Sequence, residues 1–74
     1  MSGGYSGKRV VQILVHDFDF VVARQKGSHV VLKKLADKEV VTTVVPLHRE
    51  LATGTLRGVL RLAKVEFDDF LKHV

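Results

Sequence analysis

The sequence predicts an α+β domain, and three observations carry that prediction. Between residues 18 and 45, three runs rich in β-branched residues follow one another with only short polar breaks. That pattern is the signature of an antiparallel meander. Leu56, Val59, Leu60 and Ala63 then stand at i, i+3, i+4 and i+7, one apolar stripe of a helix. In a chain of 74 residues, such a stripe has only the sheet to bury against, so the helical layer belongs on one sheet face.

The elements follow in order. Residues 1–7 are rich in Gly and Ser and read as a flexible N-terminal segment, with a single domain spanning residues 8–74. Residues 8–16 are ambiguous. Val10, Val11, Ile13 and Val15 favour a strand by propensity, yet Val10/Leu14 and Val11/Leu14/Val15 also satisfy helical spacing. Ser6 is available as an N-cap.

Residues 18–24 alternate around Phe20 and Val22 as a first strand, and Gln25-Lys26-Gly27 reads as a hairpin turn in which Gly27 takes a positive φ. Residues 28–35 form the second strand, closed by Ala36-Asp37-Lys38-Glu39, and residues 40–45 the third. Pro46 stops it, since proline cannot donate to a ladder. Thr53 or Thr55 is the expected cap of the helix that follows. Arg57, Arg61 and Lys64 share its solvated basic face. Phe67, Phe70, Leu71 and Val74 form a last amphipathic turn with acidic residues outward.

Composition narrows the function. The chain has no cysteine, so disulfides and thiolate zinc sites are excluded. An apolar content of 46% supports a packed core rather than disorder. No apolar run approaches the roughly 18 residues of a membrane helix, and the N-terminus lacks the features of a signal peptide, so a cytoplasmic protein is expected. Residues 1–64 hold eleven Lys/Arg against five Asp/Glu, whereas residues 65–74 hold Lys72 against Glu66, Asp68 and Asp69. A basic body with a short acidic tail suits a polyanion, because cations gain by releasing counterions from phosphates.

No pair among His16, His29, His48 and His73 has metal-ligand spacing within a helix, and no nucleotide-binding glycine loop or nucleophile elbow is present. No metal or cofactor is therefore expected. His29 has a distinctive context, directly after the turn and within a few residues of Arg24, Lys26 and Ser28. Imidazole exchanges a proton near neutral pH. In RNA the 2′-hydroxyl can lose a proton and attack its own phosphorus, and nearby cations stabilise the charge that develops. By strand alternation His29 shares a face with Val31 and Lys33, opposite Val30 and Leu32. If Val30 and Leu32 face the helices, His29 lies on the open face. On these residues alone, an ordinary surface turn with an incidental histidine is the simpler reading.

Arg24-Gln25-Lys26-Gly27-Ser28-His29, followed by Val45-Pro46-Leu47-His48, Glu50-Leu51 and Gly54-Thr55-Leu56, resembles the HicA family of toxin–antitoxin systems over about residues 8–71. The resemblance implies a fold like that of double-stranded-RNA-binding domains, α-β-β-β-α, with a three-stranded antiparallel sheet and the helices packed on one face. It thereby makes residues 8–16 a helix. It further implies the toxin of a type II system, an mRNA interferase that slows translation. The family's catalytic histidine falls on His29.

Arg24, Lys26 and Ser28 are then candidate RNA contacts, Gly27 forms the turn, and His48 is a secondary candidate in the loop after Pro46. A HicB-like antitoxin is the implied partner, with DNA reached only indirectly through that complex. Val31 on the open face is a candidate contact for it. Two positions depart from the family pattern. Asp19 stands where glycine is common, and Ala63-Lys64-Val65-Glu66 lacks the usual glycine C-cap. The expectation is a turn that survives at Asp19 and a last helix that joins its neighbour or frays. The competing function is a module of the same fold that binds RNA without cutting it.

Overall fold

The computed structural model describes residues 4–74. It has the order α1 (Gly7–Asp17), β1 (Val21–Lys26), β2 (His29–Ala36), β3 (Glu39–Pro46), α2 (Thr53–Ala63) and α3 (Phe67–Leu71). The strands form one antiparallel sheet in the order β1-β2-β3. This is the expected α+β arrangement, α-β-β-β-α with a short additional helix.

Helix α1 forms against the strand propensity of its residues because burial decides. Val10, Ile13 and Leu14 are all but fully buried, and their i, i+3, i+4 spacing turns them toward the sheet together. Ser6 caps the helix by accepting a hydrogen bond from the Arg9 N–H at 3.0 Å. Tyr5 packs edge-on against Phe70, with ring centres 5.7 Å apart, and its carbonyl accepts from the Leu51 N–H at 2.8 Å. Residues 5–7, which composition groups with a flexible start, thus take part in the fold; residues 1–3 lie outside the described residues.

Asp19 adopts φ 65°, the left-handed turn that reverses the chain from α1 toward β1. Phe20 is thereby buried beside the helix, and β1 begins at Val21 rather than at residue 18. The β1–β2 connection is also tighter than expected. Lys26 pairs with His29, so the loop is Gly27-Ser28 alone, and Gln25 and Lys26 belong to the strand. Gly27 has φ 59° while Ser28 has a negative φ, as in a type II′ hairpin. The second hairpin turns at Asp37 and Lys38, both with positive φ.

Val30 and Leu32 of β2 and Val41, Thr43 and Val45 of β3 point into the core, where they meet Leu56, Val59, Leu60 and Ala63 of α2. The buried Thr43 hydroxyl donates to the Val59 carbonyl at 2.8 Å and ties β3 to α2. All six residues of β1 are exposed, and a bulge at Ala23 shifts its register against β2 between Val22 and Arg24.

Three expectations about the second half need correction. The N-cap of α2 is Ala52, with no side-chain cap bond, so neither Thr53 nor Thr55 caps it. Lys64 itself takes the left-handed C-cap conformation (φ 58°), with its N–H on the carbonyls of Leu60 and Arg61 and the Val65 N–H on Leu60. The glycine-type stop therefore survives without glycine, and α2 and α3 are neither joined nor continuous. The basic face of α2 is also partly spent on structure: Arg57 lies over the Phe67 ring at 4.5 Å, and Lys64 Nζ lies 3.0 Å from Glu39 Oε2.

Candidate nucleic-acid interface

Because Val30 and Leu32 are buried under the helices, alternation sends His29, Val31 and Lys33 to the opposite, open face of the sheet. The register then sets three cross-strand rows on that face. The first is Lys26–His29–Pro46, the second Arg24–Val31–Val44, and the third Val21–Lys33–Thr42. A shallow depression lined by Ala23, Arg24, Val31, Lys33, Thr42 and Val44 runs across the second and third rows.

None of these nine row positions is acidic. Among the described residues, the ion pairs involve Lys64, Lys72 and His73, so Arg24, Lys26 and Lys33 remain unpaired. Lys34, one residue on from Lys33, is committed to structure instead: its ammonium donates to the Phe18 carbonyl and sits over the Phe20 ring. Three free cations and one imidazole, with no carboxylate in these rows, give the face a positive field of the kind that suits a polyanion. Lys33 is the cation not singled out from sequence as a site residue, although its spacing of four from His29 along one strand is a sufficient signal.

The turn beside His29 is held by hydrogen bonds on both sides. The Gln25 side-chain amide donates to the Gly27 carbonyl at 3.1 Å. The Ser28 carbonyl accepts from the Leu47 N–H at 2.6 Å, so the hairpin is tied to the β3–α2 loop. Arg24, Lys26, Gly27, Ser28, His29 and His48 are all exposed. No hydrogen bond engages the imidazole of His29 or of His48 among the described residues, so both are free to meet a ligand. His16 and His73 lie elsewhere, at the other end of α1. There His73 packs edge-on against Phe18 and its Nδ1 is 3.6 Å from Asp17. Among the described residues, no group of three or more His, Asp or Glu is arranged to hold a metal ion.

The fold and this face describe a small α+β domain with a basic, open sheet surface suited to an anionic partner. Residues 7–65 match the family described as HicA toxin of bacterial toxin–antitoxin systems. The match spans most of the chain, and the protein belongs to the HicA toxin family. It is thus the toxin of a toxin–antitoxin pair, and an antitoxin is the kind of partner that family implies. No curated protein sequence matches the chain. No helix among the described residues is long and apolar enough to cross a membrane.

Proposed function

We propose that this toxin is a metal-independent endoribonuclease that cleaves mRNA in the cytoplasm, with His29 as its acid–base catalyst. The observation that carries the proposal is the placement of an exposed imidazole, unpartnered among the described residues, directly across from Lys26, on a face bearing Arg24 and Lys33 and no carboxylate in its rows. An imidazole can take the proton of a 2′-hydroxyl near neutral pH. The resulting oxyanion attacks the adjacent phosphorus, and a fixed cation stabilises the phosphorane charge without reorganising. Arg24 and Lys26 hold the phosphate, Ser28 contacts the substrate, and Gly27 holds the turn. The 2′-hydroxyl requirement selects RNA over DNA.

A HicB-like antitoxin neutralises the toxin by covering the open face. Val31 and Val44 provide apolar contact there, and an acidic partner surface would match Arg24, Lys26 and Lys33. DNA enters only through the antitoxin in the complex.

The test is expression of the wild type without an antitoxin, beside His29→Ala. Growth arrest with mRNA degradation is expected for the wild type, and neither for a folded His29→Ala. Equal toxicity of the two rejects His29 as catalyst. Purified wild-type protein that retains RNA but leaves it intact would make the domain a binding module, and loss of cleavage on adding chelator would reject metal independence.

A further inference from the structure

A single imidazole at a phosphodiester leaves half the proton transfer unassigned. The 2′-oxygen must lose a proton, and the departing 5′-oxygen must gain one. We propose that His48 is the second proton-transfer group, donating to the 5′-oxygen while His29 removes the 2′-hydroxyl proton; this rests on the ribonuclease reading of His29.

The register ends two residues short of His48 and points to where that residue lies. His29 pairs with Pro46, the last residue of β3. The bond from the Leu47 N–H to the Ser28 carbonyl carries the ladder one step past the end of the strand. Continued one residue further, the same register would set His48 diagonally across from His29, about 7–8 Å away by sheet geometry. Leu47 packs against the core and shares a groove with Val11 and Val30 on the helical side. Alternation about Leu47 therefore returns His48 to the same side as Pro46 and His29.

The backbone at His48 is held, although it lies outside any strand. Its carbonyl accepts from the Gly7 N–H at 2.9 Å. The first turn of α1 presses so closely on this segment that a Cβ on Gly7 would collide with the Pro46 carbonyl oxygen and lie 2.8 Å from the Leu47 Cα. His48 is exposed, and among the described residues no hydrogen bond engages its imidazole.

The diagonal gap suits the chemistry. In an in-line displacement the attacking and departing oxygens stand on opposite sides of the phosphorus, so acid and base must flank the phosphate rather than touch each other. His29 takes the 2′-hydroxyl proton and O2′ bonds to phosphorus. The P–O5′ bond breaks as His48 passes its proton to O5′. The products are a 2′,3′-cyclic phosphate and a 5′-hydroxyl, with His29 protonated and His48 neutral. Proton exchange with water restores both.

The test uses an RNA oligonucleotide at whose mapped cleavage site the 5′-bridging oxygen is replaced by sulfur, since a thiolate leaves without protonation. On ordinary RNA, His29→Ala and His48→Ala should each lower the cleavage rate about 10²–10⁴-fold, the usual range for acid–base catalysis. On the sulfur substrate, His48→Ala should recover to within a few-fold of wild type, while His29→Ala should not. The pH–rate profile of His48→Ala should also lose its alkaline limb. Circular dichroism checks folding, and His48→Gln replaces His48→Ala if the latter is unfolded.

Equal loss on both substrates shows that His48 binds or positions and overturns its role as acid. Unchanged cleavage of ordinary RNA by both His48 variants overturns the proposal while leaving His29 intact. Recovery of His29→Ala by sulfur reverses the two roles and overturns the assignment. Full activity of His29→Ala, or no cleavage by the wild type, refutes the underlying reading and this proposal with it.

Discussion

The Thr43 hydroxyl donates to the Val59 carbonyl at 2.8 Å across the interface between the sheet and α2, and both residues are buried. Among the described residues Thr43 is the one buried polar side chain of the core, and this bond is what satisfies it. Thr43→Val keeps the shape and removes the donor, so a loss of about 1 kcal/mol is expected. Urea unfolding measures it, and RNA cleavage at a temperature where both proteins are folded should be unchanged. A stability equal to wild type would show that the bond contributes nothing net.

Gly7 and Gly27 should respond to substitution for different reasons. Gly27 has φ 59° with open space where a Cβ would stand, so its cost is backbone conformation alone. Gly27→Val should lose about 1–2 kcal/mol, and Gly27→Asn markedly less, because Asn is accepted at the positive-φ positions of such hairpin turns. Gly7 is helical and sterically closed against Pro46 and Leu47. Gly7→Ala should cost about 1–3 kcal/mol through overpacking, with Gly7→Asn no better. Thermal melts of the four variants decide it; equal effects of Val and Asn at Gly27 would remove the conformational explanation.

Lys64 holds a left-handed C-cap with a side chain that disfavours it, and its exposed ion pair with Glu39 contributes little. Lys64→Gly should therefore stabilise the fold by about 0.5–1 kcal/mol. A destabilised Lys64→Gly in urea titration would mean that the Glu39 contact outweighs the backbone strain.

Arg24, Lys26 and Lys33 are the unpaired cations of the open face. If each meets a phosphate, its replacement by Gln should reduce the slope of log affinity against log salt by about 0.7 on single-stranded RNA. Lys72→Gln, which removes a partner of Asp69 near the C-terminus, should leave the slope unchanged. The measurement uses His29→Ala as background so that the RNA stays intact. Identical slopes for Lys26→Gln and Lys72→Gln would take the RNA track off this face.

What the sequence made legible follows from how local each determinant is. Alternation through Val30 and Leu32 was enough to place His29 on the open face, because a strand has only two sides. The stripe from Leu56 to Ala63 was equally plain. Helix α1 was not legible from periodicity, since Val10, Val11, Ile13 and Val15 satisfy two periods, and tertiary burial of Val10, Ile13 and Leu14 settles the choice. The cap at Lys64 escaped for a related reason: its left-handed turn is held by backbone bonds to Leu60 and Arg61, which side-chain type does not announce. The proposed pairing of His48 with His29 was also hidden, since it rests on cross-strand register and on the bond from the Leu47 N–H to the Ser28 carbonyl.

The bulge at Ala23 has a consequence for the protein in concentrated solution. Among the described residues β1 is an outer strand paired only with β2, and an unbroken outer strand is a template onto which another chain can add, copy after copy. The extra residue throws the free amide row out of step midway along β1, and Arg24 and Lys26 charge the remainder. On that side, addition of another strand meets a mismatched and repelling seam.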